Sequence, residues 1–309
     1  MSTRVLLGAL AILLAAAGTV RLSSAAFTAK TSNKGTSFST AADWVAPALT
    51  LTSPANGSFT NDTTPDLSGA AGAAAGDTST VTARLFSGST ATGTALQTRA
   101  AARSGATWTT TATVLANGTY TAQATQADSA GNMATSTANS FTVDTVLPTP
   151  SSISAANGGT RAGLLEAGDS ITFTYSEPIL PTSVLSTFTG ASATVGVRFI
   201  NSATLDGFTV VDSAGAATLK LDNGTTTTAG VSLRGEYVRS TATIAATMTR
   251  SADGRSFTIV LGTVSAAVAA AGASTAKNMS WVAKAGATDR AGNAVAAATV
   301  AETDSDVDF

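Results

Sequence analysis

The chain has 309 residues, a net charge of −2, and neither cysteine nor histidine. The two absences exclude Ser-His-Asp and Cys-His nucleophilic sites, imidazole and thiolate metal sites, and a disulfide framework. Only 12% of the residues are charged and no basic stripe is present, so the composition argues against nucleic acid as a partner.

The first predicted element is a signal helix over residues 1–26. An apolar run from Val5 to Val20 follows the basic start "MSTR", and the small residues Ser24 and Ala26 precede a cut before Phe27. This is the three-part pattern of a secretory signal peptide. The run is shorter than the roughly 20 residues that span a bilayer. We therefore expect no permanent membrane span after cleavage, with an uncleaved N-terminal anchor as the alternative.

A polar linker over residues 27–47 precedes the first predicted domain. From about residue 48, short runs alternate apolar and polar residues and are separated by Gly, Asn, Asp and Pro. This pattern predicts an antiparallel β-sandwich of immunoglobulin type over residues 48–148. The residues expected on the inward faces are Leu49, Leu51, Val81, Ala83, Leu85, Trp108, Thr110, Ala112, Val114, Tyr120, Ala122, Ala124, Phe141 and Val143.

One local pattern supports this sandwich. The segment "LANGTY", from Leu115 to Tyr120, has the shape of a tyrosine corner, in which the tyrosine hydroxyl bonds backbone a few residues upstream. An ordinary hairpin with Asn117-Gly118 as a type I′ turn is the alternative.

The second predicted domain covers residues 149–309. Ile171, Phe173 and Tyr175 alternate within one run, "TRSADGRSF" indicates a hairpin, and an insertion around 185–235 enlarges the domain. A strand is expected over 217–224. Alanine enrichment favours one short helix over 264–275. The fold class expected for the whole chain is all-β, with two tandem immunoglobulin-like antiparallel β-sandwiches after the signal helix.

Several segments carry family resemblances. "LTLTSPANGSFTNDTTPDLSGAA", "GTYTAQATQADSAGNMA" and "FTVDTVLP" resemble successive pieces of the bacterial Ig-like repeat of large cell-surface proteins. "AGDSITFTYSEPI" resembles a strand of a related Ig-like domain of surface-layer and adhesin proteins, with Tyr175 where phenylalanine is usual. The resemblance implies tandem Ig-like folds at a cell surface, and it gives Glu177 a structural position at a strand end.

A separate resemblance covers residues 25–44. This segment is similar to the start of mature camelysin- and TasA-type matrix proteins. The matching positions are Ala26, Phe27, Asn33, Phe38 and Ala41. The resemblance implies export.

An Asp-x-Ala-Gly-Asn unit occurs twice and could be a calcium loop or a turn. Its positions are Asp128, Gly131 and Asn132 in the first copy, and Asp289, Gly292 and Asn293 in the second. Glycine and asparagine tolerate positive φ, and aspartate can accept hydrogen bonds from amides two residues on. The pattern favours a structural turn without metal, which links the last two strands of each domain.

Candidate chemistry is sparse. Without histidine or cysteine, an enzyme would need a carboxylate pair drawn mainly from Glu166, Glu177, Glu236 and Glu302, and the sequence predicts neither a cleft nor a catalytic residue among them. Asp304, Asp306 and Asp308 are spaced like half a calcium loop. They lack the central glycine and the bidentate glutamate, so they are read as a solvated face. Trp108 and Trp281 are expected in cores, and Trp44 is expected to be exposed.

Together these patterns predict an exported, non-catalytic structural or adhesive module without a cofactor, located outside the cell or at its surface. The expected partners are a surface protein, a cell-wall polysaccharide or a second copy of the chain. Two alternatives stay open. One is a matrix-fibre subunit that assembles through residues 27–44, and the other is a carbohydrate-binding accessory module.

Overall fold

The structure is a computed structural model. It describes residues 44–202, 206–225, 227–233, 237–269, 278–303 and 309. The predicted signal helix, with Ser24, Ala26 and Phe27, lies outside the described residues. So do Glu236 and the three aspartates near the C-terminus. The described part of the chain is all-β apart from one short helix, which confirms the all-β part of the predicted fold class.

Residues 47–144, here called the first unit, form one strand path with the order β1-β8-β6-β3-β4-β5-β2, and β7 pairs with β6. Only β1 and β8 pair in parallel. The strands are β1 (Ser58–Thr60), β2 (Asp66–Ala70), β3 (Asp77–Ser87), β4 (Gln97–Ser104), β5 (Thr107–Thr111), β6 (Gly118–Asp128), β7 (Met133–Thr135) and β8 (Asn139–Val143).

Strand β4 joins the two layers of this unit. Its residues 97–102 pair with β3, and Arg103 and Ser104 pair with β5. A single core lies between the layers and includes Leu67 and Trp108 from one side and Val81 and Phe141 from the other. Period-2 alternation places these side chains inward.

The predicted inward faces of the first unit are mostly buried, with three departures. Leu49 and Thr110 are half-buried. Val114 was expected in the core but is exposed. Strand β5 ends at Thr111, so the alternation that begins at Trp108 no longer fixes which way residue 114 points.

Residues 149–303 and Phe309, here called the second unit, form one sheet with the order β17-β16-β13-β12-β11-β14-β15-β10-β9. The elements are β9 (Pro150–Ala156), β10 (Ser170–Tyr175), α1 (Pro181–Val184), β11 (Ser192–Ile200), β12 (Gly207–Asp212), β13 (Val231–Ser232), β14 (Ala242–Arg250), β15 (Ser256–Leu261), β16 (Ser280–Val282) and β17 (Thr299–Ala301).

This second sheet curls until its outer strands meet. Strand β17 lies beside β9. The carboxylate of Glu302 accepts hydrogen bonds from the amides of Ala155 (3.2 Å) and Met279 (3.1 Å), so it connects the two edges. The hairpin expected around residues 249–257 joins β14 to β15, and Gly254 has a φ of 75° in its turn.

Two local predictions for this unit were wrong within the described residues. The segment 217–224 forms only isolated bridges, through Thr218 and Asp222. The described part of the expected helix, residues 264–269, contains one turn in which Ser265 accepts from the amides of Val268 and Ala269. High alanine content raises helix propensity, but tertiary context overrides it here.

The second core is built around Trp281. Its side chain is 0% exposed, and its ring lies 5.0 Å from that of Phe173 and 5.2 Å from that of Tyr175, both in edge-on arrangements. The indole nitrogen donates to the carbonyl of Leu221 at 2.9 Å. A buried tryptophan therefore has both its apolar body and its polar N–H satisfied.

Replacing Trp281 with alanine is expected to lower the free energy of unfolding by about 3–5 kcal/mol, because it removes the largest side chain of this core. Urea denaturation measures the loss. Trp44→Ala is the matched control: Trp44 is 82% exposed, so its loss should change stability by no more than about 0.5 kcal/mol. Equal effects of the two substitutions would contradict the assigned core.

Candidate functional site

The two Asp-x-Ala-Gly-Asn turns share one hydrogen-bond arrangement. In the first, one oxygen of Asp128 accepts from the Asn132 amide at 2.8 Å, and the other accepts from its side-chain nitrogen at 2.6 Å. In the second, Asp289 accepts from the Asn293 amide at 2.9 Å and from its side-chain nitrogen at 2.8 Å. The Asn132 side chain is also the main reason that the pKa of Asp128 lies below its ordinary value.

The backbone of each turn requires glycine at one position. Gly131 and Gly292 have φ values of 93° and 94°, a region that side chains rarely adopt. The predicted reason for the asparagines was wrong, since neither Asn132 nor Asn293 has positive φ. They serve as side-chain donors to the aspartate instead.

The second turn lies against the first unit. The Arg290 guanidinium carbon is 4.1 Å from the centre of the Phe59 ring. The Asn293 side chain donates to the backbone carbonyl of Asp144 at 2.8 Å. Asn293 is 5% exposed, whereas its counterpart Asn132 is only half-buried.

The short connection between the units is fixed at both ends. Thr145 donates to the Asn117 side chain through its amide (3.1 Å) and its hydroxyl (2.9 Å). The carbonyl of Pro148 accepts from the Ala296 amide at 2.9 Å, and Thr149 and Ser176 exchange hydrogen bonds. Residues 145–148 therefore run along both units rather than bridging free space.

Three carboxylates meet at this junction. Asp144 leaves the last strand of the first unit, Glu177 follows β10, and Asp289 opens the second turn. Each offers one oxygen, and these oxygens all lie within 4.8 Å of one another. Asp289 is 4% exposed, and Oε1 of Glu177 is fully buried without a hydrogen-bond partner.

Electrostatics at the cluster disfavour three negative charges. Burial raises the pKa of the Glu177 carboxyl above its ordinary value of 4.5, and the charges of Asp144 and Asp289 raise it further, while Arg255 lowers it. Such a group of oxygens can accommodate either a proton on Glu177 or a hard cation such as Ca²⁺, which prefers carboxylate and carbonyl oxygens. These are the described residues that could hold a metal.

The other residues singled out in the sequence have structural contacts. The Tyr120 hydroxyl donates to the Ala116 carbonyl at 2.9 Å, and Leu115 is buried in the first core. Trp108 is 2% exposed, and its indole nitrogen donates to the Thr50 carbonyl at 3.0 Å. Glu166 accepts from the amides of Thr160 (2.6 Å) and Arg161 (2.9 Å) and closes a loop.

Two cavities lie away from the junction. One, of about 350 Å³, is beside β12, β13 and β16 in the second unit and is lined mainly by small residues with Asp206. The other, of about 560 Å³, is an open trough over β2 and β5 of the first unit, lined by threonine, serine and alanine around Trp108. Neither cavity holds a pair of glutamates.

The sequence of the first unit matches a known family. Residues 50–145 match the family model of the bacterial Ig-like domain. No curated protein matches the chain. The match supports the Ig-like interpretation of this unit, and it ends directly beyond Asp144, where the junction begins. Among the described residues, no helix is both long enough and apolar enough to cross a membrane.

Sequence reasoning missed Phe59 and Asp144 as junction residues, and it treated Glu177 and Asp289 as positions in separate structural motifs. A repeated segment could have indicated Asp144. Asp43-Trp-Val-Ala-Pro47 precedes the Ig-like unit, and Asp144-Thr-Val-Leu-Pro148 precedes the second unit with the same spacing. The repeated Asp-x-x-x-Pro spacing thus marks Asp144 as a position just before the start of a unit.

Replacing Glu177 with glutamine is expected to stabilise the protein at pH 7 in EDTA. The folded state raises the pKa of this carboxyl, so deprotonation disfavours folding increasingly as the pH rises from about 4.5 through the folded value. The variant cannot deprotonate. Its urea midpoint should therefore exceed that of the wild type at pH 7 and equal it at pH 4.

Glu166→Gln is the matched control with the opposite sign. Backbone hydrogen bonds lower the pKa of Glu166, so its contribution to stability is present above about pH 4.5 and is lost as the pH falls through the folded value. A lower urea midpoint for Glu177→Gln at pH 7 would contradict the assigned repulsion at the junction.

Proposed function

We propose that the chain is an exported, non-catalytic structural or adhesive module made of two Ig-like domains, residues 48–148 and 149–309, which acts at a bacterial cell surface or in the extracellular matrix. Two observations together support the proposal. The first unit matches an Ig-like family model, and the chain forms two separate hydrophobic cores that are joined by a short connection in contact with both units. Each core contains only residues of its own unit.

The carboxylates support a non-catalytic role. Glycosidases need two carboxyl groups facing a substrate across an open cleft. Glu166 and Glu302 are instead hydrogen-bonded to backbone amides, and Glu177 lies in the junction between the units. The two cavities described above lie elsewhere. The described glutamates thus serve the fold and the junction.

The strand edges weigh against the fibre alternative. Addition of a strand requires an open edge. In the second unit, β9 and β17 lie side by side and Glu302 bonds across them. In the first unit the strand path ends at β1 and β2, and residues 50–53 already hydrogen-bond to β2, so one of these two edges is covered. The segment 27–44 itself lies almost wholly outside the described residues.

The aromatic residues weigh against the carbohydrate-binding alternative. A sugar platform needs exposed rings. Trp108 and Trp281 are buried in the two cores, which leaves Trp44 as the exposed tryptophan of the chain. Among the described tryptophans, a single exposed ring offers little surface for stacking on a polysaccharide.

Export is tested by the N-terminus of the mature protein. Expression of the full chain in a bacterial host should yield protein outside the cytoplasm whose first residue is Phe27, as measured by intact-mass and N-terminal peptide analysis. Ala26→Tyr, which places a bulky residue next to the cut, should block processing. Protein that stays cytoplasmic with an intact N-terminus would contradict the proposal.

A second function is favoured by the junction cluster: the carboxylates of Asp144, Glu177 and Asp289 bind a divalent cation that stiffens the connection. The buried, unpartnered oxygen of Glu177 supports this role, because such an oxygen is costly without a ligand. A cation would also neutralise the repulsion among the three groups.

Calcium binding is expected to raise the melting temperature of the wild type in a concentration-dependent way. Glu177→Gln should abolish most of that increase, whereas Glu166→Gln should retain it. Calorimetric titration with Ca²⁺ after EDTA treatment gives the stoichiometry, expected to be one tightly bound ion at the junction. An increase that survives Glu177→Gln would place any bound ion elsewhere.

A further inference from the structure

The two turns provide an internal comparison at one position. Both have the same aspartate–asparagine hydrogen bonds and a glycine of the same φ, so their backbones present the second residue in the same way. That residue is Ser129 in the first turn and Arg290 in the second. Both side chains are exposed, but only Arg290 reaches another unit.

The surface that Arg290 meets is an aromatic ring outside the first core. Phe59 is half-buried and does not belong to the core cluster that contains Trp108 and Phe141. It lies on β1, which pairs in parallel with β8 so that Phe59 is the partner of Thr142. Because Thr60 accepts from the Asp144 amide at 2.9 Å, the ring is held beside the start of the connection.

The hydrogen bonds between the units fix less of their orientation. Asn293 bonds the carbonyl of Asp144, and the carbonyl of Pro148 accepts from the Ala296 amide, but Asp144 and Pro148 belong to the connection or its immediate start. These bonds anchor the connecting segment. The Arg290–Phe59 contact instead joins side chains of the two units outside the connecting segment. Because it lies outside that segment, it limits rotation of one unit relative to the other.

We propose that the contact between the Arg290 guanidinium and the Phe59 ring sets the relative orientation of the two units, so that the second position of the Asp-x-Ala-Gly-Asn turn determines which surface the turn docks onto. A cation above an aromatic face is attracted by the ring quadrupole. Arg290 is well suited to this role because its planar guanidinium stacks on rings. Ser129 at the same position cannot make such a contact.

This inference rests on the proposed two-domain organisation but not on export or on a bound cation. The chain contains no cysteine, so two introduced cysteines give specific labelling sites. Thr109 on β5 and Thr247 on β14 are exposed and lie in different units. Spin labels at Thr109→Cys and Thr247→Cys report the distribution of distances between the units by double electron–electron resonance, in EDTA.

The wild-type background should give one dominant, narrow distance. Arg290→Ser places the residue type of the first turn at this position. It should lower the population at the dominant distance, relative to the population at all other distances, by about two- to five-fold. This range corresponds to the loss of an exposed cation–π contact. Phe59→Leu should have a similar effect while leaving every charge unchanged. The double variant should do no more than either substitution alone, because both remove one contact.

Arg84→Ser is the control, since Arg84 is an exposed arginine on β3 of the first unit. It should leave the distribution unchanged, and thermal melts should show that all variants remain folded. Unchanged distances in Arg290→Ser or Phe59→Leu would overturn the proposal. A broad distribution in the wild-type background, or equal broadening in Arg84→Ser, would overturn it too.

Discussion

The hydrogen bonds between Asp289 and Asn293 are the interaction on which the junction depends. They close a turn whose outer side carries Arg290 and whose inner side presents the Asp289 carboxylate toward Asp144 and Glu177. The side chain of Asn293 also bonds the carbonyl of Asp144. One compact turn thus fixes its own backbone shape, contacts the connecting segment and positions one carboxylate of the acidic cluster.

Small side chains shape the rest of the fold. Alanine, threonine and serine fill many strand positions, so the interior volume is supplied by a few large residues. In the first core these are Trp108, Tyr120 and Phe141, and in the second an aromatic group surrounds Trp281. The polar ends of Trp108, Trp281 and Tyr120 all bond backbone carbonyls, so the rings also tie loops to the sheets.

The fold of the first unit was largely predictable, because period-2 alternation directly encodes which side chains face inward. The same rule failed at Val114, beyond the end of a strand, and at residues 217–224, where a regular pattern forms only bridges. In residues 264–269, the described part of the expected helix, only one turn forms, because alanine propensity is weak beside tertiary packing. Alternation contains no information about where strand pairing stops.

The candidate site was much less predictable. Asp144, Glu177 and Asp289 are far apart in sequence, and each has an adequate local explanation as a strand end or a turn. Their meeting depends on how one unit is placed on the other, which no local pattern encodes. Phe59 lies outside the predicted strand runs, and the position of Arg290 gives its ring a partner.

The brevity of the connection has a mechanical consequence. Only residues 145–148 separate the last contact of the first unit from the first strand region of the second, and a fully extended segment of that length spans no more than about 14 Å. A pulling force that broke every contact at the junction would therefore lengthen the molecule very little before the load reached the folded sheets. Under tension the short connection would pass the load from one unit directly to the other. Once the junction contacts were broken, the units could rotate relative to each other without a large increase in length.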